Sequence, residues 1–516
     1  MTLRGADIVA RGLARAGTRY VFALSGNHVM PLFDAALDAK LPIVHVRHEA
    51  AAVHMADAWG RLTGEVGVAL VTGGPGHANA VSALYTALAA ESPVVLLSGH
   101  APLHELGKGA FQEMAQAEMA APACKASWTV RSAGLLGEDL ARALRVAKAG
   151  RPGPVQLSLP SDLLEAEVEM GLPAKAAFEP EICFSPVAIE KILEQLQSAR
   201  KPLLLAGPAL GHARGRALLR SFEEATRVPC IVMESPRGVN DPSLGLLAEV
   251  LATADVVVLA GKRIDFTLRF GAAFGKHCRV IETDADVMHW IAPASGKKWI
   301  ASGWLNEVRS AIAFRPAPWK ALSSKAEGPL HPVEVGRAVQ QLLDVPEAVL
   351  VADGGEFGQW SQATLSARHR LINGPAGAIG AALPFAAAAK LALPGSTVVA
   401  MLGDGSFGFH SSEIDTAVRG GLAYVAVVGN DSCWNAEYQI QLRSYGAARA
   451  HGLDLLPTRY DQVAAGFGAH GEHVKRRAEL VPALERAGGA VKAGRVACVN
   501  VLIERLPAPD YRGPSG

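Results

Sequence analysis

Short apolar runs alternate with longer Ala-rich stretches along the whole chain. The first third carries RYVFALSG (19–26), PIVHVRH (42–48), GVALVTGG (67–74), PVVLLSG (93–99) and GPVQLSLP (153–160), each bounded by Gly or Pro. The middle carries KPLLLAGP (201–208), PCIVME (229–234), ADVVVLAG (254–261) and RVIETD (279–284). The last third carries AVLVADGG (348–355), STVVAMLGDG (396–405), AYVAVVGND (423–431) and ACVNVLIE (497–504). Runs this continuously apolar, with helical patterns between most of them, belong to strands buried on both faces of a parallel sheet. The pattern predicts an α/β chain of three doubly wound parallel-sheet domains. Two stretches that mix Pro with charge, 160–186 and 314–332, read as linkers and place the domains at 1–165, 183–318 and 330–516. There is no short-period repeat, although the first and last thirds share a similar strand–helix rhythm.

Composition narrows the class. A chain of 516 residues fits three domains at about 150 residues each. Lys+Arg is 50 against 49 Asp+Glu, so no basic field exists to hold a nucleic acid. No apolar run reaches the roughly 18 residues of a membrane span, and the charged N-terminal stretch lacks the apolar core of a secretory leader. The cysteines (124, 183, 230, 278, 433 and 498) show no CxxC spacing. They read as reduced thiols of a cytoplasmic protein.

Ligands of open parallel sheets bind beyond the carboxyl ends of the strands, which directs attention to 47–54, 73–79 and 403–433. Gly403, Gly405 and Gly408 form a G-x-G-x-x-G after a strand and before a helical stretch, the pattern of a dinucleotide turn. Asp404, however, stands inside that turn, where its carboxylate would repel a pyrophosphate on the helix N-terminus. A Mg²⁺ ion removes the conflict, because it binds through one or two carboxylates plus substrate phosphates. Asp404 and Asp431, at the ends of neighbouring strands, supply the pair, and the N–H groups around Gly405 and Ser406 cap the phosphates. Taken singly, Asp404 reads as a helix cap and Asp431 as a turn residue.

GDGSFG followed by VVGNDSCWN, with 27 residues from Asp404 to Asp431, resembles the thiamine diphosphate motif. The resemblance implies that Asp404, Asp431 and the carbonyl of Cys433 hold Mg²⁺. Asp431 stands where the family usually has Asn, which adds a negative charge to the site. RHEAAAVHMADAWGRLTGEVGVALVTGGPGHANAV (47–81) resembles the pyrimidine-binding domain of the acetolactate synthase group. Glu49 then takes the place of the glutamate that hydrogen-bonds the aminopyrimidine and promotes its imino tautomer, and Pro75 and Asn79 fall on the cofactor side. The task needs a carboxyl group in an apolar, water-poor setting; by residue type alone Glu49 is a helix N-terminal acid beside Arg47. HEAAAVH is not HExxH, and its spacing turns His48 and His54 to different helix faces, so no zinc site is expected. The resemblance continues in three segments. GAFQEMAQAEMAAPACKAS (109–127) places Gln112 as a substrate-side amide. GPAGAIGAALPFAAAAKLALP (374–394) places Ile379 as the wedge that bends the cofactor and Gly377 as a carbonyl acceptor, although Ile379 alone reads as core. ADGGEFGQW (352–360) places Gly355 and Glu356 beside the diphosphate.

The substrate side differs from biosynthetic synthases. SGNHVMPLFDA (25–35) replaces their Pro-Gly-Gly, and its Gly-x-His is similar to benzaldehyde lyase, cyclohexane-1,2-dione hydrolase and the 2-hydroxyacyl-CoA lyases. His28 and His77 become proton donors or acceptors near the substrate, or strand-end hydrogen-bonding residues. Ile440 stands where synthases carry a selecting Trp. GKRIDFTLRFG (261–271) only partly resembles the synthase flavin segment, so FAD is not expected. The resemblance implies a thiamine diphosphate- and Mg²⁺-dependent C–C lyase or carboligase acting on a 2-oxo acid or 2-hydroxy carbonyl compound, with 2-hydroxyacyl-CoA lyase or 2-oxo acid decarboxylase as alternatives. It also implies a homodimer or homotetramer with active sites at the dimer interface. A non-catalytic nucleotide-binding scaffold is the alternative of another class, and it leaves Glu49 without a task.

Overall fold

Every apolar run named above forms a strand of a parallel sheet in a computed structural model that describes residues 2–169, 172–181, 185–294 and 302–511. Cys183 lies outside the described residues; the other five cysteines are free thiols. From edge to edge the first sheet reads Ile43–His45, Val21–Ala23, Gly67–Val71, Val94–His100, Val155–Pro160, Ala126–Thr129. The third reads His369–Ile372, Ala348–Asp353, Thr397–Gly403, Val425–Asn430, Ala497–Leu502, His470–Val474. With strands numbered in chain order within each sheet, both are 2-1-3-4-6-5, so the shared rhythm is a shared topology. The middle sheet, Cys230–Val232, Pro202–Ala206, Val256–Ala260, Arg279–Thr283, repeats the first four positions as 2-1-3-4. In each, the strand order reverses between the first and third strands, the switch point at which such sheets take ligands.

Three parallel strands escaped the sequence pattern: Ala126–Thr129, His369–Ile372 and His470–Val474. All three are sheet edges. An edge strand is half solvated, so it carries no continuous apolar run. A short antiparallel pair, Thr2–Arg4 with Glu167–Glu169, ties the chain start to the segment after the first sheet. Phe178 also packs into the first domain's core, so that structural unit continues beyond residue 165.

The first and third domains share one apolar core. Helix Glu49–Thr63 and helix Ala382–Ala392 each follow the second strand of their sheet, and residues 50–62 and 381–389 contribute to a single buried cluster. Both helices are Ala-rich, which favours helix formation and lets their backbones approach closely. Arg370 fixes the middle domain to the third: it is buried and donates to Glu234 at 2.9 Å and Asp241 at 3.3 Å. Among the described residues, no helix is long and apolar enough to cross a membrane.

Candidate active site

Strand Thr397–Gly403 runs directly into helix Asp404–His410. The first carboxylate oxygen of Asp404 accepts the Gly405 N–H at 2.9 Å, while its Oδ2 is buried without a partner. A Cβ on Gly405 would lie 2.5 Å from the Trp434 ring, whereas Cβ atoms on Gly403, Gly377 and Gly408 would meet nothing within 4 Å. Gly405 therefore answers to packing, and Gly403 and Gly377 leave an open cradle. A cavity of about 320 Å³ is lined by Gly355, Glu356, Gly377, Ile379, Gly403, Asp404, Gly405, Ser406, Asp431 and Cys433. All of these come from the sequence reading. Ile440 lines it as well, together with Arg237, Gln359, Trp434 and Asn435, which the reading did not include.

The electrostatics of this cavity call for a cation. Burial pushes the Asp404 carboxyl up to about 6. Burial, and then the neighbouring Asp404 charge, pushes Asp431 up to about 7 against the opposing pull of Arg505. A buried carboxylate with an orphaned oxygen beside a second, half-buried one is costly unless neutralised, and a hard divalent ion with phosphate oxygens does so. No three His, Cys, Asp or Glu side chains converge on a metal site among the described residues. The protein's own donors thus leave part of the coordination shell to a phosphate and water, and the residues present fit Mg²⁺ with a diphosphate.

A third acid organises the cavity wall. Asp353 is buried and accepts the N–H groups of Gly354, Gly380 and Ala382, the last two at 2.8 and 3.0 Å. It fastens the 353–355 turn to the 374–382 loop that carries Gly377 and Ile379; burial pushes it up to about 6. The signal for it was an acid at a strand end before Gly-Gly. Gln359 donates to Glu356 at 2.8 Å, and burial raises the Glu356 carboxyl.

The remaining site residues lie on the rim of the first sheet. Glu49 opens its helix, accepts from Asn79 at 3.0 Å, and comes within 3.3 Å of where a Cβ on Gly76 would stand. Pro75 is the first residue of helix Pro75–Ala89, where its fixed φ suits the helix start. His28 Nδ1 is 3.1 Å from the Thr72 hydroxyl. His77 is fully covered, with Nδ1 2.9 Å from the Ser98 hydroxyl; burial holds it down to about 4, so the ring is neutral near pH 7. Gln112 sits in the left-handed region (φ 57°) over Gly74. The buried amide of this rim is Gln116, which sequence reasoning missed. It accepts the Gly74 N–H at 2.8 Å and donates to the Gly99 carbonyl and Ser158 hydroxyl at 3.1 Å each. None of Glu49, Pro75, Asn79, His28, His77 and Gln112 lines the cavity around Asp404. Within one chain these residues therefore stay out of the Asp404 cavity.

The middle sheet's switch point is occupied from within. Glu91 of the first domain sits there with Arg151; its carboxyl takes the Ala209 N–H and would touch a Cβ on Gly207 at 3.1 Å. Lys262, nearly buried, pairs with Asp265 beside it.

The Glu49 and Asp404 regions both fall within matches to known protein families. Residues 3–119 match the family model of the thiamine pyrophosphate enzyme N-terminal TPP binding domain, and residues 353–501 match the C-terminal TPP binding domain. The chain belongs to the thiamine pyrophosphate enzyme family. Relatives span nearly all of it. A probable acetolactate synthase of Mycobacterium bovis is 32% identical over 98% of this chain and 96% of its own length. The 2-hydroxyacyl-CoA lyase 2 of Bos taurus is 33% identical over 100% of this chain and 92% of its own, and that of Homo sapiens 31% over 99% and 91%. In this acetolactate synthase-like enzyme, the N-terminal match carries the Glu49 rim and the C-terminal match carries the Asp404 cavity; the middle domain falls outside both.

Proposed function

We propose that this thiamine diphosphate-dependent C–C lyase or carboligase holds Mg²⁺ through Asp404, Asp431 and the Cys433 carbonyl, and that a second copy of the chain completes each site. Thiamine diphosphate supplies a nucleophilic carbon that adds to a substrate carbonyl and stabilises charge on the adjacent carbon. The chain's residues do the rest. The open backbone at Gly403 and the N–H group of Ser406 would receive the diphosphate, while the Gly405 N–H is already given to Asp404. Ile379 and the Gly377 carbonyl, fixed by Asp353, set the angle between the two rings. Glu49, held by Asn79 at 3.0 Å, would exchange a proton with the aminopyrimidine. His28 is the imidazole nearest the substrate. His77, being covered and neutral, braces the Gly73–Gly76 turn, and Gln112 faces the substrate from above Gly74.

The observation that carries this reading is the pairing of buried Asp404, with its orphaned oxygen, and half-buried Asp431 in a cavity that Glu49 of the same chain does not line. A homodimer, or a tetramer of such dimers, brings the rim of one chain to the cavity of the other. Five free thiols among the described residues suit a reducing, cytoplasmic setting.

A cavity of about 800 Å³ opens beside the first and shares Arg237, Glu356, Gln359, Ala436 and Ile440 with it. Arg269 and Arg443 also line it. Glu249, Glu356 and Asp510 line it too and balance the three arginines, so it is the volume, beyond the needs of a three-carbon oxo acid, that favours an extended substrate such as a 2-hydroxyacyl thioester of CoA. The test is a paired assay with Mg²⁺ and thiamine diphosphate. Cleavage of a 2-hydroxyacyl-CoA to an aldehyde and formyl-CoA supports the thioester reading. Conversion of pyruvate to acetolactate, without thioester cleavage, assigns the enzyme to the oxo acids.

A further inference from the structure

The loop that presents Glu49 is held by the same chain's third domain. Helix Asp404–His410 is followed, after two residues, by helix Glu413–Arg419. Glu413 is fully buried. Its carboxylate accepts the Arg47 N–H at 3.1 and 3.3 Å, the Thr416 hydroxyl at 2.6 Å, and the His48 N–H. Arg419 donates to the His45 carbonyl at 2.8 Å. Asp415 faces the Arg47 guanidinium at 3.4 Å, and the His410 ring lies edge-on to His48, with centroids 5.5 Å apart. Residues 45–48 are thus gripped along their length by 410–419, and Glu49 is the next residue.

We propose that Glu413 is a positioning residue for Glu49, and that segment 404–419 joins the diphosphate site at one end to the Glu49 loop at the other. The proposal rests on the assignment of Glu49 above. Two N–H donors converge on one buried carboxylate, which fixes the backbone at 47–48 and so the origin of the Glu49 side chain. A carboxylate spent on backbone N–H groups inside the protein has no route to substrate, so its effect runs through the loop. Because 404–419 is one short, packed segment, filling the cavity in one domain bears on the glutamate that the same chain offers to the neighbouring site.

The test is hydrogen–deuterium exchange at C2 of bound thiamine diphosphate, at saturating Mg²⁺ and cofactor. It compares wild type, Glu49→Gln, Glu413→Ala, Glu413→Gln and Arg419→Ala, with cofactor affinity and melting temperature measured on each. Displacing a reacting group by a fraction of an ångström to 1 Å costs about 10–100-fold. Glu413→Ala is expected to lower exchange by that factor while cofactor affinity stays within about threefold. Glu413→Gln, which keeps one acceptor oxygen, falls between. Arg419→Ala, exposed and tolerant of change, shows a smaller loss in the same direction and covers the case in which Glu413→Ala does not fold. Wild-type exchange in a folded Glu413→Ala, or in Arg419→Ala should Glu413→Ala not fold, overturns the proposal and leaves Glu49 intact. Exchange in the wild type no faster than in free cofactor, or equal in wild type and Glu49→Gln, overturns the assignment of Glu49 and the proposal with it.

Discussion

The chemistry proposed for the cavity rests on two carboxylates, buried Asp404 and half-buried Asp431, whose close placement a cation would balance. Asp431, where an amide would bind equally well by oxygen, makes the protein's share of the site more negative. Asp431→Asn is expected to weaken Mn²⁺ binding about tenfold, read by electron paramagnetic resonance with diphosphate present. The pH dependence follows from the raised carboxyls, to about 6 for Asp404 and about 7 for Asp431. A group raised on folding contributes stability that is complete below its unfolded value, near 4, and lost as pH rises through the folded value. The metal-free protein therefore loses stability between pH 4 and 7 from this pair. Mg²⁺ with thiamine diphosphate restores it, so the rise in melting temperature on loading is larger at pH 8 than at pH 5.5. An equal rise at both values contradicts the pairing. These two acids were legible because a fixed spacing carries them. Gln116 was not: its amide matters only because Gly74, Gly99 and Ser158, from three strand ends, converge on it, and nothing local in AQAEMA records that.

Among the elements, the strands that the apolar pattern found are those with neighbours on both sides, together with the more apolar edges. The strands it missed are edges such as His470–Val474, whose polar HGEHV faces solvent along much of its length. What the pattern leaves out is which helices meet. Helix Glu49–Thr63 is buried almost all round, His54 and Asp57 included, because it packs between its own sheet and helix Ala382–Ala392. The Ala positions at that contact set the approach of two domains. Ala386→Leu inserts a branched side chain into a fully buried position and is expected to cost about 1–3 kcal/mol, seen as a lower urea midpoint with unchanged slope. A neutral result means that the two helices have slack between them.

At the scale of the whole molecule, one topology is used three times and two of its copies carry chemistry. The first and third domains face each other through their second-strand helices, and the residues around Glu49 do not line the Asp404 cavity of the same chain. The third copy, the middle domain, has its switch point filled by Glu91 and Arg151. It joins the others by ion pairs such as Arg370 with Glu234 and Asp241. The residues proposed for both rims were named from sequence motifs; that those around Glu49 stay out of the Asp404 cavity of their own chain follows from how the domains pack, which no motif encodes. Sedimentation of the active enzyme is accordingly expected to show a dimer or tetramer, with no active monomer.

The most direct measurement is complementation between two inactive variants. Glu49→Gln lacks the rim function and Asp404→Asn lacks the metal ligand. In co-expressed mixed dimers, one site carries both lesions and the other carries neither. If each site is built from the rim of one chain and the cavity of its partner, C2 exchange returns to about a quarter of the wild-type level, from random pairing in a twofold dimer. If Glu49 and Asp404 of the same chain serve one site, every site carries a lesion, and the mixture stays as inactive as its parents.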